Sequence, residues 1–206
     1  MERKEEIVRA MLELASERGL GAVTLSQVAR RVGMRTPSLY NHFASKDELV
    51  QEAYRFLRDQ ARERNTASNV DLGALVADRD LEEVLLLSFD SYCSFVLDEE
   101  LLCLWRVLYA ERTTSPVAAQ IVLEESERMV HQVRGLFYAL VAHGKLRADG
   151  VDLAALSYAM TIHGLVDLQL DRLTASGVRP CGMEATFGEA KAYIAWFASQ
   201  MGEAHA

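Results

Sequence analysis

Residues that interrupt helices are scarce in this 206-residue sequence, which contains three prolines and twelve glycines. The stretches between them are long and repeat apolar residues at helical spacing, which predicts an all-α fold. Half of the residues are hydrophobic, so the chain can bury a sizeable core. Long apolar runs are also lacking, and no N-terminal stretch resembles a signal sequence. We therefore expect a soluble, cytoplasmic protein that does not enter a membrane.

Reactive motifs are lacking as well. The three cysteines, Cys93, Cys103 and Cys181, have no C-x-x-C spacing, so we expect reduced core thiols and neither disulfides nor a zinc site. No two of the five histidines have the i, i+4 spacing of a helical metal site. The sequence also has no phosphate-binding glycine loop and no Gly-x-Ser-x-Gly motif. We predict no metal, no cofactor and no catalytic residue, and hence a protein that is not an enzyme.

Charge is divided unevenly along the chain. Residues 1–46 carry eight lysines or arginines and five glutamates, a net charge of +3, whereas residues 65–206 carry ten basic and twenty acidic residues, a net charge of −10. A basic end on an acidic protein is typical of a chain that binds DNA through that end, because phosphate neutralisation supplies much of the affinity. The excess is small, and taken alone it is also what an ordinary solvated surface shows.

A pair of short helices is predicted near the N-terminus. Thr24 is followed three residues later by Gln27, the spacing of a capping box that opens a helix. Gly33 ends that helix, because glycine accepts the left-handed conformation without steric cost. The next helix begins with Thr36 as its expected N-cap and Pro37 in its first turn.

The second helix of this pair has too few apolar residues to be a core helix. It offers donors and acceptors suited to phosphates and base edges, namely Arg35, Thr36, Ser38, Asn41 and His42. A second capping box, Ser45 with Glu48, opens a long helix from Lys46 to about Arg64. Lys46 at its start is well placed for a phosphate.

Twelve positions in this region agree in type and spacing with one family pattern: Gly21, Thr24, Val28, Ala29, Val32, Gly33, Leu39, Tyr40, His42, Phe43, Lys46 and Leu49. In these positions the chain resembles the N-terminal domain of the TetR family of transcriptional regulators. It departs from the family pattern at Met34, Arg35 and Pro37. The last two lie where DNA sequence is read, so they bear on the operator more than on the function.

The resemblance implies an N-terminal three-helix DNA-binding domain with a helix-turn-helix, residues 1–46, and a larger helical ligand-binding and dimerisation domain, residues 47–206. It implies a repressor that binds a palindromic operator in double-stranded DNA as a homodimer and is released by a small-molecule effector. The residues expected to contact DNA are Ser26, Gln27, Arg35, Thr36, Pro37, Ser38, Tyr40, Asn41, His42 and Lys46.

Helical periodicity continues on both sides of this region. A first helix is predicted from Glu2 to Arg18, and a polar linker with at most one helical turn is predicted over residues 65–80. Five body helices follow, over residues 81–97, 99–111, 115–143, 152–175 and 184–201.

The last two body helices carry apolar seams at 3-4 spacing, which predicts a four-helix dimer interface about a two-fold axis. The residues of this predicted interface are Leu156, Ala159, Val166, Leu170, Phe187, Ala190, Ile194, Phe197 and Met201. The alternative is that both seams cover the body's own core.

A ligand pocket is expected in the body. Its candidate lining is Phe89, Tyr92, Cys93, Trp105, Tyr109, Met129, Val133 and Phe137, together with His163, which precedes Gly164 as in one group of TetR-like C-terminal domains. The alternative is that these are ordinary core residues. Two other functions stay open: a dimeric helical small-molecule-binding protein that has lost operator binding, and an all-α enzyme that uses histidines and aspartates of the body.

Overall fold

The computed structural model describes residues 3–66, 71–178 and 187–202. Within these ranges the chain forms ten α-helices and one short 3₁₀ turn, Leu20–Ala22. The β-type pairing in the same ranges is an isolated antiparallel bridge between Leu146 and Gly202. The predicted all-α fold is therefore confirmed.

The helices are, in chain order, α1 Arg3–Arg18, α2 Leu25–Arg31, α3 Thr36–Leu39, α4 Lys46–Thr66, α5 Leu72–Ala77, α6 Leu81–Val96, α7 Glu99–Glu111, α8 Pro116–Ala142, α9 Val151–Ala175 and α10 Gly188–Met201. They fall into two compact units. The head unit comprises residues 1–68 and 99–125, with α1–α4, α7 and the first part of α8. The body unit comprises residues 69–98 and 126–206, with α5, α6, the rest of α8, α9 and α10.

The head unit is built around α1, which packs against α2, α4 and α7. One face of α1 is apolar, and its Ile7 and Met11 are fully buried. Val28 from α2 and Leu39 from α3 are buried in the same unit. Burying these side chains removes apolar area from water, the main term that holds short helices such as α2 and α3 in place.

Local sequence signals set several helix ends as predicted. Thr24 and Gln27 form the reciprocal capping box, in which the Thr24 backbone N–H donates to Gln27 Oε1 over 2.9 Å. Asp80 and Glu83 form the same arrangement at the start of α6, a capping box that was not predicted. Gly33, just after α2, has a φ of +66°, a conformation that a residue with a Cβ adopts only with strain.

The predicted N-cap of α3 is wrong. Arg35 is the N-cap, with extended backbone angles, and Thr36 and Pro37 are already the first two helical residues. The first four N–H groups of a helix have no partner within it, so proline is tolerated at either of the first two positions and does not fix the start.

The second predicted capping box is half formed. Ser45 Oγ accepts from the Glu48 N–H over 3.1 Å, but the Glu48 carboxylate accepts from the Ala44 N–H rather than from that of Ser45. The predicted linker contains the helical turn α5, which Asp71 caps by accepting from the Ala74 N–H over 3.1 Å. The predicted start of the last helix at Glu184 lies outside the described residues.

The core of the body unit brings together α5, α6, α8, α9 and α10. An aromatic cluster at its centre consists of Phe137, Tyr158, Tyr193 and Phe197, whose contacting ring centroids are 5.0–6.0 Å apart. Cys93 lies in this core as a free thiol, as predicted, and burial raises its pKa to about 12. Cys181 and the side chain of Cys103 lie outside what the structure describes.

Helix α9 is apolar on two opposite faces. One face, which includes Ala155, Tyr158 and Ile162, is buried in the body core. The opposite face is exposed, although it carries Leu153, Met160 and other large apolar residues. By length and composition α9 is the one helix in the described ranges that could cross a membrane, and 28% of the relevant window is buried. A single helix of this kind is weak evidence for a membrane span.

Candidate nucleic-acid interface

Helix α3 is anchored by a single buried residue. Leu39 is completely buried, whereas Pro37 and Ser38 beside it are exposed. Tyr40, at the C-terminal end of the helix, exposes 52% of its surface. The helix is thus fixed to the head unit on one side and free on the other.

The exposed side of α3 holds most of the residues predicted to contact DNA. Arg35, Pro37, Ser38, Tyr40 and Asn41 are exposed, and Thr36 and His42 are half-buried. Guanidinium, hydroxyl and amide groups on one open helix face can donate to phosphates and reach base edges. The structure therefore gathers these seven residues in one short stretch, which consists of α3, its two cap residues and the turn that follows it. Their contacts with DNA stay a prediction.

The residues predicted from α2 are partly engaged within the head unit. The Gln27 side-chain oxygen accepts from the Thr24 backbone and hydroxyl over 2.9 and 3.0 Å, which leaves its NH₂ group for another partner. Ser26 is exposed, and its Oγ lies 3.1 Å from Thr24 Oγ1. Both side chains can still reach a phosphate, but their contacts with Thr24 restrict where they can point.

Lys46 is also engaged. Its ammonium group donates to the carbonyl oxygens of Leu20 and Gly21, each over 3.0 Å. Lysine has three N–H donors, so one stays available for a phosphate. These bonds tie the start of α4 to the turn before α2, a structural role that the sequence prediction missed.

The predicted dimer interface is largely wrong. The structure buries six of its nine residues in the chain's own core, with exposed fractions of 5% or less: Ala159, Val166, Phe187, Ala190, Ile194 and Phe197. Leu170 and Met201 are half-buried against that core. Leu156 is the exception, at 42% exposed. A side chain that is buried within one chain cannot cover a second chain, so the alternative interpretation of the seams holds for these residues.

An exposed apolar face lies elsewhere on the same two helices. On α9 it consists of Leu153, Leu156, Met160 and Leu168, which are 42–71% exposed, and on α10 it includes Trp196, which is 57% exposed. We call these five residues the α9–α10 face. Large apolar side chains grouped in this way mark interaction surfaces more often than scattered ones do.

The candidate pocket residues are divided between the two units. Trp105 and Tyr109 belong to the head unit, where their rings make an edge-to-face contact with centroids 6.0 Å apart. The other seven belong to the body unit. Of these, Phe89, Cys93 and Phe137 are core residues with exposed fractions of 8% or less, and the remaining four, Tyr92, Met129, Val133 and His163, are half-buried.

Two of the body candidates do meet in a polar pair. The Tyr92 hydroxyl lies 2.7 Å from His163 Nδ1, which joins α6 to α9. On its other side, His163 Nε2 lies 3.5 Å from an Asp167 carboxylate oxygen. Each of the two residues was predicted separately from the sequence. Their contact could not be predicted, because Tyr92 and His163 are 71 positions apart and meet only when their two helices pack together. Within the described ranges no three His, Cys, Asp or Glu side chains are placed to hold a metal ion.

The fold and the open face of α3 define a class of protein: a helix-turn-helix protein with a helical body. Two family models match the chain, one for bacterial regulatory proteins of the tetR family over residues 7–53 and one for the C-terminal domain of AefR-like transcriptional repressors over residues 83–178. Together they span most of the sequence. The chain therefore belongs to the TetR family of transcriptional regulators.

Individual relatives agree with this assignment. The transcriptional regulator BetI of Stenotrophomonas maltophilia is 20% identical over 162 residues, which cover 79% of this chain and 81% of BetI. The transcriptional repressor KstR2 of Mycobacterium tuberculosis is 40% identical over 57 residues, 28% of each chain. A transcriptional regulator from Saccharomonospora viridis, solved in complex with choline, superposes with a TM-score of 0.68 at 18% identity and covers 98% of both chains. The last of these likenesses shows the fold alone.

Proposed function

We propose that this TetR-family regulator is a cytoplasmic repressor that binds a near-palindromic operator as a homodimer. The observation that carries this proposal is the open polar face of α3. Only Leu39 of this helix is buried, so the other side chains do not stabilise the core and are free to bind a partner. One four-residue helix reads too few bases to select a site, so two copies are needed. In a dimer the two α3 helices would enter successive major grooves, about 34–36 Å apart.

The α9–α10 face is the proposed dimer interface. Its large residues would be removed from water by a second copy. Full burial of an exposed apolar side chain contributes about 1.5–3 kcal/mol, and each of these residues would contribute a fraction of that because it is 42–71% exposed. On α10 one flank of Trp196 carries small residues, Gly188, Ala192, Ala195 and Ser199, whereas its other flank carries Glu189 and Gln200. Small side chains let a partner helix approach closely. Two helices from each chain would then form a four-helix contact about a two-fold axis.

The α9 residues of this face have a helical order that suits self-association. Leu153, Leu156 and Met160 follow one another at spacings of three and four, and Gly164 continues the line as an exposed glycine. A two-fold interface uses the same patch on both chains, so one apolar line on α9 is enough to supply both halves.

An effector is proposed to bind in the body unit and to change the spacing of the two α3 helices. It would act by binding more tightly to a form of the dimer that does not fit the operator. It can shift the equilibrium toward that form only by as much as its affinities for the two forms differ. The Tyr92–His163 pair would supply a polar contact in an otherwise apolar core. This is the arrangement usual for small-molecule sites, where a few polar groups orient an apolar ligand.

The chemistry of the effector does not transfer from the relatives. A choline-like quaternary ammonium is usually held between aromatic rings that surround it. The rings of Phe137, Tyr158, Tyr193 and Phe197 instead contact one another, with centroids 5.0–6.0 Å apart, which leaves no gap for a trimethylammonium group among them. The match to KstR2 spans too little of the chain to carry a ligand.

A gel shift with DNA from upstream of the protein's own gene tests the proposal. We expect a retarded complex with the purified protein, and a much weaker one with Arg35→Ala or Tyr40→Ala. A folded dimer that retards neither this DNA nor any other duplex would favour the second candidate, a dimeric helical binding protein that has lost operator binding. The half-buried Tyr92–His163 pair is the observation that keeps this candidate open, because a ligand site there would not depend on DNA.

A further inference from the structure

A basic cleft lies between α1 and α2 in the head unit. It has a volume of about 370 Å³ and is lined by Leu14, Arg18, Gln27, Arg30 and Arg31. Three of its five lining residues are therefore arginines. Guanidinium groups present planar sets of N–H donors that match the oxygens of a phosphate.

Two of the three arginines are held in place by carboxylates of α1. Arg31 contacts Glu13 over 3.3 Å and Glu17 over 3.2 Å, and Arg18 contacts Glu17 over 3.2 Å. Hydrogen bonds from Arg18 and Arg31 lower the pKa of the Glu17 carboxyl, so this network stays ionised. An arginine has five N–H donors, and these contacts leave several of them on each guanidinium for a further acceptor.

Arg30 differs from the other two arginines. It is exposed, and no carboxylate of the described residues lies within ion-pair distance of it. The cleft therefore combines two guanidiniums that are oriented by their own ion pairs with one whose charge is not neutralised. Such a combination attracts an anion.

The cleft adjoins the residues proposed to contact DNA. Gln27 belongs to both sets, since it lines the cleft and is one of the two α2 residues predicted to contact DNA. Its side-chain oxygen is used by Thr24, so its NH₂ group is the part that stays free to donate. Ser26, the other predicted contact, lies one helical turn before Arg30 on α2.

We propose that this cleft is a binding site for a phosphate group of the operator backbone, with Arg30 as its principal ligand and Gln27, Arg18 and Arg31 around it. The inference rests on the proposed function, because it assumes that the head unit binds DNA. It adds a phosphate contact outside the groove that α3 reads. Contacts of this kind set the position and affinity of a protein on DNA without reading its sequence.

The first test measures how operator affinity depends on salt. Each phosphate neutralised by the protein contributes about 0.9 to the slope of log K against log salt concentration. Arg30→Gln should reduce the slope by about 1 per subunit, and Arg30→Lys should retain most of it. Arg55→Gln, an exposed arginine of α4 that is ion-paired with Glu52, serves as the matched control and should leave the slope unchanged. Equal slopes for wild type, Arg30→Gln and Arg55→Gln would overturn the proposal.

The second test uses the full chain without DNA, so that it does not depend on operator binding. Inorganic phosphate is titrated at constant ionic strength while the arginine Nε–H resonances are followed by NMR. We expect a saturable shift of the Arg30 signal that exceeds that of Arg55. A shift of the same size for both arginines would overturn the site. A saturable Arg30 shift with an unchanged salt slope would show a site for free phosphate and overturn the operator contact.

Failure of this proposal is distinguishable from failure of the proposed function. If Arg30→Gln binds the operator with an unchanged salt slope, the regulator stands and the cleft contact is wrong. If the wild type binds no duplex, the operator contact is overturned together with the proposed function.

Discussion

Helices α3 and α9 both leave one face uncovered, but the two faces have opposite chemistry. The open face of α3 carries polar and basic groups such as Arg35, Ser38 and Asn41, and only Leu39 anchors the helix. The open face of α9 carries Leu153, Leu156 and Met160, although the helix already buries five residues in its own core. A polar face suits a hydrated, charged partner such as DNA, and an apolar face suits a protein surface.

The difference separates two kinds of binding. Contacts of α3 would be weakened by salt, since they replace the counterions of phosphates. Contacts of the α9–α10 face would respond weakly to salt, because removal of apolar area from water is not a charge interaction. The following substitutions address these two faces, and then the capping boxes and hydroxyl groups that hold each unit together.

The largest effect is expected from a charge placed on the α9–α10 face. Met160→Glu would bury a carboxylate without a partner on each side of the proposed interface, at a cost of about 3–5 kcal/mol. We expect sedimentation to show a 23.0 kDa particle at micromolar concentration, whereas the proposal predicts a dimer for the wild type. Leu123→Glu is the control, because Leu123 is similarly exposed at 50% but lies on α8 in the head unit. If Met160→Glu still sediments as a dimer, the interface lies elsewhere.

The next effect concerns the polar face of α3. Arg35→Ala removes a guanidinium that is proposed to lie near the bases, which should weaken operator binding by about 1–3 kcal/mol. Because Arg35 is exposed, the melting temperature should not change. Fluorescence anisotropy with labelled operator measures the first quantity and calorimetry the second. Arg55→Ala, on α4, should leave both unchanged, and equal losses from the two variants would mean a general effect of charge rather than a contact.

A smaller effect is expected from two complete capping boxes of the described residues, the one at Thr24 in the head unit and the one at Asp80 in the body unit. Thr24→Ala in the head unit and Asp80→Ala in the body unit should each lower the free energy of unfolding by about 1 kcal/mol, because each leaves helix N–H groups without an acceptor. Urea unfolding followed by circular dichroism measures both. Ser94→Ala changes a mid-helix hydroxyl that bonds to the Asp90 carbonyl, and it should cost less than either cap. A loss at Ser94 as large as at the caps would contradict this account.

The smallest effect is expected from a matched pair of tyrosines in the body unit. The Tyr158 hydroxyl is buried, no described residue forms a hydrogen bond with it, and burial raises its pKa. Tyr158→Phe should therefore leave stability unchanged or raise it, since an unsatisfied group is removed. Tyr92→Phe breaks a half-buried bond to His163 and should lower the free energy of unfolding by about 0.5 kcal/mol, the low end for a hydrogen bond. A destabilised Tyr158→Phe in urea unfolding would show that the hydroxyl has a partner.

The sequence predicted features that depend on residues close together in the chain. The box at Thr24 and the turn at Gly33 follow from a spacing of a few residues and from one backbone conformation. The N-cap of α3 was placed one residue late, because proline fits either of the first two helical positions. The hydrogen bonds of Lys46 to the turn before α2 could not be predicted, because they join residues 25 and 26 positions apart.

Periodicity alone cannot decide which apolar side of a helix faces the chain's own core and which faces a second chain. The seam through Ala190, Ile194 and Phe197 correctly marked one apolar side of α10, but a stripe does not say whether it covers its own core or a partner. The signal that would have helped was on α9, where apolar residues occur on both sides of the helix. Leu153 and Met160 lie opposite the buried Ala155 and Ile162, so one set must face something other than the core.

Selection of binding sites from random duplex DNA by the purified protein, at a stated salt concentration, tests the central claim most directly. The account predicts an enriched near-palindrome whose half-sites are centred about 10–10.5 base pairs apart or a multiple of that, since each α3 reads one half. Enrichment of a single half-site would contradict the dimer. No enrichment from a folded dimer would contradict the assignment of α3 as the DNA-reading helix.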